Sequence, residues 1–226
     1  MPRPRLDENQ PPASNRLQTA FWEALEEHPF KDITVTEIAR RAGVNKNTFY
    51  YHYANMDELA QSSIQDSLLY DISVIFFGST EKPQPPISDM AKRIEELPSI
   101  ALKEDNQERW KRLSLIAGPH GSNQLISYVK EFILHEWLTR MNVDYDRLNL
   151  NARITISFTL SGIIGLLSSD FIEEDEKSHV MQTFFESDLF RNTFKSVYPV
   201  MLRARTARSY VNHPDLGAIN QSHEMN

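Results

Sequence analysis

The chain has 226 residues, 40% of them hydrophobic with 8 Tyr, 12 Phe and 3 Trp, which excludes wholesale disorder and allows one large domain or a small one joined to a larger one. It has no cysteine, so disulfides, thiolate metal sites and thiol nucleophiles are excluded, which fits a reducing cytoplasm. The net charge of −7 weakens any non-specific attraction to nucleic acid, although phosphate affinity depends on local cations rather than on the total.

MPRPRLDENQPP at the start has no apolar signal-like stretch, and no apolar run approaches the ~20 residues of a membrane span, so the expectation is a cytoplasmic protein. Gly is scarce and helical periodicity prevails, which predicts an all-α fold. Residues 1–13 read as a flexible, proline-rich arm. A first helix starts near Ser14, with Leu17, Phe21, Trp22 and Leu25 as its apolar stripe, and stops before His28-Pro29 because the residue preceding proline disfavours helix. Thr34-Val35-Thr36-Glu37 has the form of a capping box and opens a helix that ends at Gly43. Asn45 caps the next, from Lys46 to about Tyr53, and Asn55 caps another that is expected to run to Phe77.

After a loop at 78–86, a helix from Ser88 is interrupted at Pro98, and another runs from Asp105 to Ala117. Gly118-Pro119-His120-Gly121 is a turn, and Ser122 caps an amphipathic helix carrying Leu125, Ile126, Val129, Phe132, Ile133 and Trp137. An apolar helix follows from about 144 to 169, and a last stretch from about 177 to 205 is open to a break at Glu186-Ser187-Asp188. The tail from 207 reads as flexible.

Two short helices joined by a tight turn at Gly43 have the form of a helix-turn-helix, whose second helix presents its N-terminal residues to base edges in the major groove. Here that helix is NKNTFYYHY, rich in donors and polar-tipped rings, with Phe49 facing inward toward Ile38 and Val44. The plainer alternative is an ordinary helical corner whose tyrosines plug a core; a short, strongly polar helix placed after the capping box and the glycine turn argues against it. In residues 31–56, Lys31, Arg40, Arg41 and Lys46 stand against Asp32 and Glu37, a local cationic surplus.

Residues 17–59, above all TVTEIARRAGVNKNTFYYHYANMDEL, resemble the DNA-binding domain of the tetracycline-repressor (TetR/AcrR) family. The resemblance implies a three-helix DNA-binding domain at 14–56 and, at 57–206, a larger helical domain that dimerises and binds a small inducer. It places Lys46, Asn47 and Tyr51 where members read bases, and Thr36, Thr48, Tyr50 and His52 where they grip phosphates. The chain departs from the family at Met56, where a phosphate-binding lysine is common, and at Asn47, where a small residue or proline is common. Arg3 and Arg5 in the arm are either minor-groove contacts or part of a solvated tail.

The apolar helix has hydrophobic side chains all round, which calls for cover on every side. Ser157, Ser161, Gly165 and Ser169 form a ridge of small residues suited to close approach of a second subunit, and Phe190, Phe194, Val197 and Met201 offer a seam on the last helix. A monomeric core is the alternative, and the family resemblance favours the homodimer. Tyr70, Phe77, Trp110, His135 and Phe158 are candidates to line a ligand pocket, each of them also compatible with plain core. No HExxH spacing, G-x-S-x-G elbow, P-loop or dinucleotide fingerprint occurs, so neither an enzyme nor a metal or other cofactor is expected. Two functions remain: a repressor released from a palindromic operator by a small apolar or aromatic inducer, and a DNA-bound co-regulator whose C-terminal domain receives a partner protein.

Overall fold

A computed structural model describes residues 11–66, 92, 95–99, 103, 107–168 and 179–203. Every element among them is helical: α1 (Ala13–Glu27), α2 (Val35–Arg41), α3 (Lys46–His52), α4 (Met56–Ile64), α5 (Gln107–Ala117), α6 (Asn123–Met141), α7 (Leu150–Leu167), α8 (Val180–Glu186) and α9 (Asp188–Arg203), with single 3-10 turns at Phe30–Asp32 and Tyr145–Arg147. The arm before residue 11, the proposed extension of α4 to Phe77, the loop at 78–86, the helix start at Ser88 and the tail from 207 lie outside the described residues. Residues 95–99 are helical and include Pro98.

Side-chain caps start the helices where the sequence placed them. Asn45 accepts from the Thr48 amide at 2.8 Å, Asn55 from Glu58 at 2.9 Å and Ser122 from Leu125 at 3.2 Å. Each such cap is worth about 1 kcal/mol. The capping box of α2 is half formed. Thr34 Oγ1 accepts from the Glu37 amide, but the Glu37 carboxylate is taken by the Arg41 guanidinium one turn on. Charge-assisted bonds to guanidinium outcompete a single bond to a neutral amide. At α4 the Glu58 carboxylate reaches back past the Asn55 cap to the Ala54 amide.

The apolar helix begins later than the periodicity suggested. Asn142, at φ 51°, ends α6 in the left-handed region, the 3-10 turn follows, and Asn149 caps α7 by accepting from Ala152 at 2.9 Å. The break near residue 187 is real. Ser187 is extended, and its hydroxyl accepts from the Phe190 amide at 3.2 Å, opening α9 as a separate helix.

One continuous core joins the N-terminal helices to the rest. Leu17, Phe21, Leu25, Ile38, Phe49, Leu59 and Ile64 share it with Leu97, Leu113, Ile116, Leu125, Val129, Ile164, Leu167, Phe185 and Phe190. Leu59, Ala60 and Ile64 bind α4 to this cluster, so the boundary expected after residue 56 falls at the start of a helix that packs on α1. A second cluster of Trp137, Val143, Leu148, Ala152, Ile156, Leu160 and Val197 holds α6, α7 and α9 together.

Candidate nucleic-acid interface

Helices α2 and α3 are held as a unit by the turn between them. Gly43 sits at φ 62°, a conformation that L side chains rarely adopt, and the Val44 amide closes the turn onto Ala39 O at 2.9 Å. Arg16 of α1 donates through Nη1 to Ala42 O at 2.9 Å, fastening the turn to the first helix. Phe49 is fully buried and Val44 packs partly against the same core, as their spacing suggested.

Around buried Phe49, the rest of α3 faces water. Lys46, Asn47, Tyr50 and Tyr51 are exposed, Tyr51 at 84%, while Thr48 and His52 are half-buried. The Thr48 hydroxyl donates to Asn45 Oδ1 at 3.2 Å, tying it to the cap. The Tyr51 ring meets His52 edge-on at 5.1 Å, and Tyr50 stands edge-on to Phe49 at 5.4 Å. Thr36 is exposed near the start of α2. All seven residues singled out for DNA contact therefore lie on α2 and α3, five of them exposed. Tyr53 is a correction to the polar-tipped row. It is buried, and its hydroxyl accepts from Gln18 Nε2 at 3.3 Å, so the core reading holds for that ring. Met56, in the place of the family's lysine, packs its side chain partly against the core.

Arg41 is the basic residue whose place the sequence did not reveal. Its guanidinium binds both Glu27 carboxylate oxygens and Glu37 Oε1, joining α1 to α2. Those two carboxylates hold the Arg41 pKa well above its ordinary value, and the Arg41 hydrogen bonds hold Glu27 below the usual carboxylate range.

The C-terminal candidates divide differently from the sequence grouping. Ser157, Ser161 and Gly165 lie on the outer face of α7. Phe158 lies there too, at 81% exposure, and this corrects its assignment to a pocket. Leu150 and Ile154 extend the same face, 72% and 57% exposed. Among the described residues α7 is thus covered on one side: Ala152, Ile156, Leu160, Ile164 and Leu167 are buried, while the opposite face is exposed. By length and composition α7 also suffices to cross a membrane, at 18 residues. Phe190 and Val197 are corrections in the opposite sense. Both are buried in the two cores rather than presented as a seam, Phe190 beside Phe184 and Phe185 and Val197 beside Trp137, Ile156 and Leu160. Ser169 and the side chains of Phe194 and Met201 lie outside the described residues.

Of the pocket candidates, Trp110 is half-buried with its ring 5.5 Å from Phe185, in an aromatic cluster with Phe184 and Phe190 that the sequence pattern did not single out. His135 is exposed, so its side chain does not face the core. Tyr70 and Phe77 lie outside the described residues. A cleft of about 180 Å³ opens between α6 and α7, with Leu134, Leu148, Ile156 and Leu160 as its apolar lining and Lys130 and Arg153 among its charged residues. Ser157 and Ser161 also line it, so it borders the open face of α7. Among the described residues, no three His, Asp or Glu side chains group as metal ligands do.

The described residues form an all-helical structure with an N-terminal helix-turn-helix whose second helix is largely exposed to solvent. Residues 19–62 match the family model described as bacterial regulatory proteins, tetR family. A curated relative, described as the uncharacterized HTH-type transcriptional regulator YxbF of Bacillus subtilis (strain 168), is 44% identical over 52 residues, which are 23% of this chain and 14% of that protein. Among solved structures, NalD, described as the secondary repressor of the MexAB-OprM multidrug efflux pump in Pseudomonas aeruginosa, is similar at TM-score 0.47 and 13% identity, over 84% of this chain and 97% of that one. AlkX of Dietzia sp. strain DQ12-45-1b, a TetR family repressor implicated in n-alkane biodegradation, is similar at TM-score 0.41 and 17% identity, over 80% and 95%.

Proposed function

We propose that this chain is a cytoplasmic transcriptional repressor that binds a palindromic operator as a homodimer and leaves it when a small apolar or aromatic inducer binds the C-terminal helices. The observation that carries the DNA-binding part is the polar face of α3, with Lys46, Asn47, Tyr50 and Tyr51 in water above a buried Phe49. A short helix gains nothing by exposing two large rings unless a partner covers them, and a major groove takes a helix of this width. Selection of bound duplexes from a random pool tests the reading; a pool that returns no preferred sequence would overturn it.

With a selected duplex in hand, Lys46 and Tyr50 should behave differently. Lys46→Ala should cost ~1–3 kcal/mol and relax preference at one position in each half-site, as loss of a base contact does. Tyr50→Phe removes one hydroxyl and should weaken all sequences about equally. Affinities for the duplex and its single-base variants separate the two. An unchanged preference profile in Lys46→Ala would remove that residue from base reading.

The open face of α7 supports the homodimer. Leu150, Ile154 and Phe158 beside Ser157, Ser161 and Gly165 give an exposed, apolar surface suited to close packing. The same face is also the observation that favours the second reading, a co-regulator with a partner protein there. Sedimentation of the purified chain discriminates: a dimer fills the face with a second copy, whereas a monomer leaves it to another protein.

Trp110, half-buried against Phe185, supports an aromatic-lined inducer site near α5. An inducer displaces the operator only by its differential affinity for the two states. A thermal-shift screen should return an apolar compound that raises Tm and releases the selected duplex, because a ligand that binds one state stabilises it. Stabilising compounds that all leave the duplex bound would count against induction.

A further inference from the structure

The last turn of α1 reaches three elements through three consecutive residues. Leu25 O accepts from the His120 ring at Nδ1, 2.8 Å away. Glu26 accepts from Lys111 Nζ at 2.6 Å, and Glu27 takes the Arg41 guanidinium. The partners belong in turn to the Gly118–Gly121 turn, to α5 and to α2. A carbonyl oxygen only accepts, so His120 carries its proton on Nδ1 in this contact. Leu25 O is one of the last four carbonyls of α1, which a helix end leaves without intrahelical partners; Ala24 O takes the His28 amide, and His120 supplies the donor for Leu25. His120 grips the following segment as well, since its own carbonyl accepts from the Phe30 amide at 2.8 Å. It therefore holds both sides of the exit from α1.

His120 is itself held firmly. The Gly118 amide donates to Ser114 O at 2.8 Å and the Gly121 amide to Gly118 O at 3.0 Å. A Cβ at Gly121 would lie 1.7 Å from Ile116 O, so the turn closes this tightly only with glycine there. A second contact flanks the first, with the Arg112 guanidinium 5.1 Å from the centre of the Trp22 ring. A displacement of α5 or of the turn thus reaches Leu25 and Glu26 directly. From Glu27 it passes to Arg41, at the end of α2 that leads into Gly43 and the recognition helix.

We infer that the last turn of α1 couples the C-terminal helices to the DNA-reading helix, with His120 as the positioning residue that makes the connection. The inference rests on the DNA-binding reading above and adds the route by which the C-terminal domain acts on it. Coupling is reciprocal, so DNA on α3 must be felt at α5 and the turn.

The test uses the full chain as wild type, His120→Ala, His120→Asn and Lys111→Gln, with a duplex that the wild type recovers from a random pool. Asparagine places an amide N–H near the position of Nδ1, and Lys111 is exposed enough that its glutamine variant should fold. Bound duplex should slow amide exchange at 107–121 in the wild type. His120→Ala should abolish that remote slowing and weaken binding about fivefold or more, with His120→Asn restoring both and Lys111→Gln intermediate. A merely structural His120 would lower Tm in the alanine variant while leaving the remote slowing intact, and that result would overturn the inference. So would an asparagine variant as impaired as alanine, which would assign the effect to ring packing, or a Lys111→Gln variant that transmits as the wild type does. A wild type that recovers no duplex defeats the DNA-binding reading itself, before any variant is compared.

Discussion

Phe49→Ala is expected to cost about 3–5 kcal/mol of stability and to abolish duplex binding. Phe49 is fully buried in the cluster that joins α1, α2, α3 and α4, and the Tyr50 and Tyr53 rings stand 5.4 and 6.0 Å from it. Its removal leaves a hole that a seven-residue helix, capped only by Asn45, cannot close by moving as a body. A loss of this size is a large share of the roughly 5–15 kcal/mol by which domains of this kind are stable. Denaturant unfolding followed by circular dichroism measures it. Tyr51→Ala is the control: at 84% exposure it should leave stability within about 0.5 kcal/mol while removing a proposed base contact. Equal destabilisation by the two variants would mean that α3 is not anchored through Phe49.

Gly165→Leu should convert dimers into monomers without unfolding the protomer. A Cβ at Gly165 meets nothing within 4 Å inside the chain, so the larger side chain has room until a second copy approaches. At a closely packed helix contact the same side chain must force the helices apart, at a cost of roughly 1–3 kcal/mol for each site and twice that across a two-fold axis. Phe158→Lys should act still more strongly, because it would place an unpaired charge within the covered surface. Sedimentation should show half the wild-type mass at low concentration, with far-ultraviolet dichroism unchanged. A Gly165→Leu protein that remains dimeric would move the contact to another face.

The caps and the core anchor of the helix-turn-helix were legible because each rests on a local rule. Asn45, Asn55 and Ser122 act within three residues of their targets, and Phe49 follows from the spacing of Ile38 and Val44. What escaped the sequence was decided by partners distant along the chain. Arg41 counts toward the cationic surplus of 31–56 in the sequence, yet Glu27, fourteen residues earlier, claims it. Tyr53 resembles its polar neighbours in sequence, but Gln18, 35 residues away, donates to its hydroxyl and holds it in the core.

The long helices show the same limit. An apolar pattern on every side of α7 fixes that both faces need cover but not which residue belongs to which cover. Phe158 was grouped with pocket residues although it points out, and Phe190 and Val197 with the interface although they point in. For α9 the missing information was what its Phe190 and Val197 face meets, which is the chain's own α6, α7 and α8. Periodicity determines a face only once the helix start is known. His120 left no mark in the pattern at all beyond its place between two glycines, since its contact with Leu25 spans 95 residues.

Arg41, held by two carboxylates, changes how this protein should compete for DNA in a salty cell. With that guanidinium withdrawn, the segment from 31 to 56 retains Lys31, Arg40 and Lys46, so two copies on one duplex would displace about six condensed ions through this segment, and its share of the salt dependence would be a log–log slope of about −5. On the proposed function, binding would then lean on uncharged donors such as the hydroxyls of Thr36, Tyr50 and Tyr51, which reward correct geometry and gain little from an arbitrary stretch of backbone. Bulk chromosomal DNA would then be a weaker trap for such a protein than for one with more exposed cations on its recognition face.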